Sequence, residues 1–200
     1  MKKSKLYIWE IALMAALCVS LAAGARAGAE QDALAEKMVR LHVIARSDGE
    51  EDQRMKLLVR DAVLYELTPL LENADNALSA RETVAGALQT VADTAAEVSS
   101  LPVTVTLGPE DYPTREYEGF SLPAGRYTSL RVVLGEGEGK NWWCVVFPPL
   151  CLSAAEASFA EASGLTDDEF SLITEENTGW EVRFRIVELW DELRRMLCGM

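Results

Sequence analysis

The side chains that could carry chemistry in this 200-residue chain are one histidine, four cysteines, 32 carboxylates and a single glycine-lysine turn. His42 is the only histidine. A zinc site of the usual kind needs several nitrogen or thiolate ligands at close spacing, and neither C-x-x-C nor H-E-x-x-H occurs. A Ser-His-Asp or Cys-His arrangement would have to recruit His42 as its base, and nothing else in the sequence supports one. His42 reads instead as a half-buried strand residue with its ring nitrogens hydrogen-bonded, still of interest because imidazole titrates near neutrality. No metal and no cofactor are expected. Cys144 and Cys151 lie seven residues apart across Pro148-Pro149. In an exported chain such a pair can close as a disulfide, worth about 2.5 kcal/mol for so short a loop. The alternative is two small buried thiols. Cys198 is left over, and Cys144 has no identifiable base to make it a nucleophile. Among so many carboxylates, neighbours such as Asp167 and Asp168 or Glu136 and Glu138 arise by chance, and a solvated acidic surface accounts for them.

The glycine-lysine turn sits in Gly135-Glu136-Gly137-Glu138-Gly139-Lys140-Asn141. Gly139-Lys140 is like the end of a phosphate-binding loop. That motif needs a glycine where this chain has Leu134, Ser or Thr where it has Asn141, and a helix where Trp-Trp-Cys-Val-Val-Phe suits a strand. Glu136 and Glu138 would repel a phosphate as well. Two readings remain. One is a mobile, solvated turn whose glycines supply positive φ. The other is a recognition loop beside Trp142 and Trp143, which alternate across a strand so that one is buried and the other exposed as a protein-contact anchor.

These residues need elements to hold them. Residues 126–134 and 142–147 suit two strands, most simply a β-hairpin with its tip at 136–140. Leu41, Val43 and Ala45 alternate with Arg40, His42 and Ile44, which predicts a strand over 39–45 with one apolar face. Ser47 to Glu50 fits a capping box, and a helix should run from there to about Thr68, before Pro69. Leu57, Leu64 and Leu71 with Val63, Leu67 and Leu70 form its apolar stripe, and Gln53, Lys56 and Arg60 lie on the neighbouring face. A second capping box, Ser79 to Glu82, opens a helix carrying Val84, Leu88, Val91, Ala95 and Val98 at steps of four and three. Val103, Val105 and Leu107 predict a strand, 108–113 a turn, and 114–118 a short edge strand. Beyond Cys151, helices are expected at 154–162, from Thr166 to about Thr174, and from Ile186 through Leu197, while 182–186 alternates like a strand.

Lys2, Lys3 and Lys5 precede an uninterrupted apolar run over 11–23, followed by small-x-small cleavage sites within 23–29. Residues 1–27 therefore read as a cleaved signal peptide, or secondly as an uncleaved N-terminal anchor. The run is shorter than the roughly 20 residues that a bilayer needs. A lipoprotein role for Cys18 fails because Leu17 stands where a small residue is required. Residues 28–38 should be a tether or short helix, and 39–200 one globular domain. The formal charge of −13 repels nucleic acid and anionic lipid alike, so a folded face docking on protein is the better expectation. The order of strand, two helices, several strands and more helices implies an α+β layer fold, a mostly antiparallel sheet packed with helices.

Two stretches carry a family resemblance. Gly-Glu-Gly-Glu-Gly-Lys-Asn-Trp-Trp-Cys-Val-x-Phe-Pro-Pro-Leu-Cys, from Gly135 to Cys151, resembles the signature of the stage II sporulation protein R family. Arg40-Leu41-His42-Val43-Ile44-Ala45, Ser47-Asp48, Asp52-Gln53, Lys56 and Val59-Arg60-Asp61-Ala62-Val63 match it independently. Arg46 departs from the small polar residue, usually Asn, expected there. The resemblance implies a non-enzymatic signal, secreted from the forespore into the space between the forespore and mother-cell membranes. There such proteins activate a membrane-embedded, aspartic-type protease of the mother cell, which cleaves the precursor of sporulation sigma factor E. The contact candidates are His42, Asp48, Gln53, Lys56, Arg60, Glu136, Glu138, Asn141, Trp142 and Trp143. The alternatives are a secreted hydrolase acting on cell wall with two carboxylates, and a wall-binding module using exposed aromatics.

Overall fold

The computed structural model describes residues 7–117 and 120–149. Cys151, Cys198 and the elements expected after residue 150 lie outside the described residues. In chain order the elements are α1 (Ile8–Glu36), β1 (Val39–Ile44), α2 (Glu50–Leu71), α3 (Ala77–Gly86), α4 (Leu88–Val98), β2 (Val103–Tyr112), β3 (Arg115–Tyr117), β4 (Phe120–Leu122), β5 (Gly125–Leu134) and β6 (Asn141–Phe147). The fold is α+β. One sheet has the strand order β2-β5-β1-β6, and β3 and β4 form a separate two-stranded ribbon.

The expected hairpin of β5 and β6 does not form. β1 lies between them, parallel to β5 with Leu41 opposite Leu130, and antiparallel to β6 with Leu41 opposite Cys144. The reason lies in β1, whose six residues are all buried. Leu41 and Val43 join Val59, Val63 and Leu67 of α2, Val91 of α4, and Leu130, Val132 and Leu134 of β5 in the main core. On the opposite face, Leu34 and Ala35 from the end of α1, and Met38 just after it, pack with Tyr112, Leu122, Tyr127 and Val145. A strand with burial on both faces gains most from a central position, where both edges are also hydrogen-bonded.

The helices differ from their sequence patterns at the ends. α2 starts at Glu50 with Gly49 as N-cap, so Ser47 caps nothing; its hydroxyl is taken by Asp52 at 2.5 Å. The buried stripe of α2 runs Asp52, Lys56, Val59, Val63, Leu67, Leu71. Leu57 and Leu70, expected in that stripe, are exposed. Two charged residues head the true stripe, which hides it from a hydrophobic pattern. The helix continues past Pro69 to Leu71 although proline cannot donate to the Tyr65 carbonyl, and the burial of Leu71 offsets that lost bond. Asn76, not Ser79, caps α3 through a bond from the Ser79 amide at 3.0 Å. The expected single helix is two, broken at Ala87. The turn expected at 108–113 is strand instead. β2 pairs with β5 from Val103 to Tyr112, and its position on the sheet edge tolerates Pro109. α1 runs unbroken from Ile8 to Glu36 through the expected leader–tether boundary, and its last turns are core. It is long and apolar enough to cross a membrane, and Ile11, Leu13, Met14, Leu17 and Val19 are exposed along it.

The connection 135–140 has to pass over the exit of β1 to reach its other side. Gly135 and Gly137 take positive φ of 58° and 67°. Gly139 serves a different need. A β-carbon there would sit 2.5 Å from the carbonyl carbon and 2.8 Å from the nitrogen of Ser47. Gly139→Ala is therefore expected to destabilise the fold by at least about 2 kcal/mol. Gly86→Ala, at a helical site with nothing within 4 Å, should stabilise it by roughly 0.5–1 kcal/mol. Urea denaturation of the two variants beside the parent checks both signs.

Candidate functional site

The two stretches with unusual text meet at one corner, where the chain leaving β1 is bound to the connection from β5 to β6. The Glu138 amide donates to the Arg46 carbonyl at 3.1 Å and the Gly139 amide to the Ala45 carbonyl at 2.9 Å, extending the pairing beyond the sheet. The Lys140 amide donates to Asp48 Oδ1 at 2.8 Å. Lys56 Nζ donates to the Lys140 carbonyl at 3.1 Å and to Gln53 Oε1 at 2.7 Å, and Gln53 Nε2 donates to the Ser47 carbonyl at 2.8 Å. The mobile-turn reading is thus replaced by a tied loop.

Lys56 is only 5% exposed. Burial, and then the positive charge of Arg60, push its ammonium pKa down. Its hydrogen-bond partners are neutral oxygens, and it works as a buried clamp on the connection. Asp52 plays the matching part for the β1–α2 junction. It accepts from the Ser47 hydroxyl and takes Arg46 in a two-point ion pair, Nε at 3.0 Å and Nη2 at 2.9 Å. The Ser47 hydroxyl first, and Arg46 second, hold its carboxyl below the usual range. Arg46 is therefore what fastens this junction.

The expectation of one buried and one exposed tryptophan is corrected. Trp142 and Trp143 do point to opposite faces of β6, but both are half-buried and each lies under an arginine. Arg60 of α2 covers Trp142, with its guanidinium carbon 4.9 Å from the ring centroid, and Arg115 of β3 covers Trp143 at 3.6 Å. Trp143 also stacks on His42, with centroids 5.3 Å apart.

His42 is 6% exposed and bonded at both nitrogens, Nδ1 to Glu110 Oε1 at 2.9 Å and Nε2 to Asn141 Oδ1 at 3.0 Å. The Asn141 amide can turn over to suit either ring tautomer. Burial would raise the Glu110 carboxyl, but bonds from Ser129 and His42, with Arg131 nearby, hold it below its ordinary value. Glu110 escaped the sequence reading because Gly108 and Pro109 read as a turn; period-2 alternation continuing from Leu107 was the only signal available. His42 thus couples β1 to β2 and β6, on the sheet face opposite Lys56 and Arg60. Among the described residues no three His, Cys, Asp or Glu side chains are grouped to hold a metal ion.

The candidate residues therefore fall into two roles. Gln53, Lys56 and His42 build the corner from within or beneath, and exposed Asp48 and Asn141 tie it from the surface. Glu136 and Glu138 stand exposed on it, beside exposed Arg46, Asp48 and Lys140. Cys144, on β6, is buried and disulfide-bonded, and the sulfur it joins is outside the described residues.

Asp52 carries a pH dependence of definite sign. Its folded pKa is depressed, so its contribution is present above the unfolded carboxylate value and is lost as pH falls through the folded one. Asp52→Asn is expected to lower the urea midpoint at neutral pH and to flatten its decline on the acid side of about pH 4. Equal acid slopes in parent and variant would contradict the assignment.

Residues 35–157 match the family described as Stage II sporulation protein R. Stage II sporulation protein R of Bacillus subtilis (strain 168) is 34% identical over 121 residues, covering 58% of this chain and 54% of that protein. The match thus spans about half the length of that relative. No solved structure matches the chain. The matched stretch contains the whole sheet, both tryptophans and every bond that ties the corner. The chain belongs to the stage II sporulation protein R family.

Proposed function

We propose that this protein is an exported sporulation signal that works by being bound, with the tied corner as its handle. In this reading it leaves the forespore, enters the space between the two membranes, and docks on a membrane-embedded aspartic-type protease of the mother cell. The protease then cleaves the precursor of sporulation sigma factor E. The observation that carries the reading is the corner itself. Two stretches far apart in the chain are locked together by buried Lys56, by Asp48 and by the close approach at Gly139. That order lets exposed Glu136 and Glu138 present charge from a fixed frame.

Preorganisation matters because docking pays for every group that it must immobilise. A tied loop has met that cost on folding, so more of the contact energy can favour the active arrangement of the protease. The ligand shifts that equilibrium only by its differential affinity for the two states. Exposed charges at a rim chiefly set encounter rate and register, so their reversal weakens docking without touching the fold.

Purified protein, mixed with membranes carrying the protease and its precursor substrate, is expected to raise precursor cleavage. Glu136→Lys combined with Glu138→Lys should reduce that gain about tenfold, equivalent to ~1.4 kcal/mol of docking energy, and leave the melting temperature unchanged. Absence of any gain with the parent protein would reject the proposal.

A further inference from the structure

β6 ends the sheet. Its inner edge pairs with β1, and among the described residues no strand pairs with its outer edge. The side chains from Cys144 to Phe147 are buried, so what stays open is the hydrogen-bonding edge itself. Such an edge invites another extended segment, and Asn141–Phe147 holds neither a charged residue nor a proline to blunt it. Beside it runs an apolar cleft of about 60 Å³, lined by Leu64, Leu67 and Leu71 of α2 and by Val145, Val146 and Pro149. Leu57, Leu64 and Leu71 recur at steps of seven and share one flank of α2, the flank from which Arg60 covers Trp142 of β6. That flank faces the edge, yet Leu57 is 39% exposed and Leu64 only half-buried.

Where the chain goes next identifies the occupant. Pro149 is itself part of the cleft lining, and residues 150–200 continue from it. Cys144 is disulfide-bonded and Cys18 is free, which leaves Cys151 or Cys198 as the partner. Either bond fastens the chain beyond Pro149 at β6. Within that stretch Val182, Phe184 and Ile186 alternate with Arg183 and Arg185, the pattern of a strand with one apolar face. The two arginines also suit a cleft bordered by Glu72. These residues lie beyond 35–157, the stretch matched to the family.

We propose that residues 182–186 pair with the outer edge of β6 as the next strand of the sheet, with Phe184 seated over the cleft. Backbone bonds then satisfy the edge, and Val182, Phe184 and Ile186 lay their apolar face against Leu64, Leu71 and Val146. The same pairing closes β6 to a second copy of the chain. It also makes a segment outside the family match part of the domain.

Hydrogen exchange of the full chain, read peptide by peptide with mass spectrometry, tests this. Residues 141–147 and 182–186 are expected to exchange about a hundredfold more slowly than an unstructured chain, at every protein concentration. Phe184→Glu should speed exchange within 141–147 about tenfold and lower the melting temperature by roughly 4–8 °C. Should that variant fail to fold, Thr68→Arg obstructs the cleft from a half-buried position on α2, and it should speed exchange at 182–186 by a similar factor. An unprotected 182–186 in the parent, exchange at 141–147 unchanged by Phe184→Glu, or exchange at 182–186 unchanged by Thr68→Arg would overturn the pairing. So would protection lost on dilution, which assigns the edge to a second copy.

Discussion

β1 has a neighbour on each edge and a packed layer on each face, and most of this structure follows from giving it that place. A strand in the centre separates β5 from β6, which are consecutive in the chain. The connection between them must then climb over the end of β1 in six residues. That passage demands glycines at 135 and 137 for the backbone angles, and at 139 because Ser47 is already there. It also brings the 135–140 segment against the start of α2. The corner is thus a consequence of strand order, not a decoration added to it.

The energetics of the corner depend on few groups, each used more than once. Lys56 holds Gln53 and the Lys140 carbonyl, and Asp52 holds Ser47 and Arg46. A buried ammonium costs desolvation, and the depressed pKa of Lys56 is the sign of that cost. Its return is geometric, since a loop clamped from beneath presents the same surface each time. Bonds to two neutral oxygens return only part of that cost, and specificity of arrangement is the better account of why a lysine occupies a core position.

Arginine over aromatic ring recurs through the fold, at Arg60 with Trp142, Arg115 with Trp143 and Arg40 with three tyrosines. Each pair lets a cation be withdrawn from water while its flat faces stay in contact with π density, worth about 0.5–2 kcal/mol per pair. In an acidic protein these arginines are turned inward, while Glu136, Glu138 and Asp48 stand exposed on the corner beside Arg46 and Lys140. The exposed charge that a partner meets there is therefore richer in acid than the underlying chemistry of the site.

How much of this the sequence carried depends on the range of the interaction that decides it. The α+β class, the β1 pattern, the helical character on either side of Ala87, and the β5 and β6 strands were legible, because hydrophobic period is local text, whereas the break that makes two helices there was not. So was the link between the two unusual stretches, through their shared family resemblance. The separation of β5 from β6 was not legible, since the choice between a hairpin and a central strand rests on the pairing and burial of β1 against β5, β6 and α4, all remote from it in sequence. The stripe of α2 misled because Asp52 and Lys56 are charged, and only their partners at Arg46 and Lys140 make burial tolerable. Glu110 stayed hidden behind Gly108-Pro109, which an edge strand accepts and an isolated segment reads as a turn. By itself the sequence determined which segments are apolar on which side. Tertiary structure alone decided who stands next to whom, because a charged residue's place depends on a partner that lies many residues away.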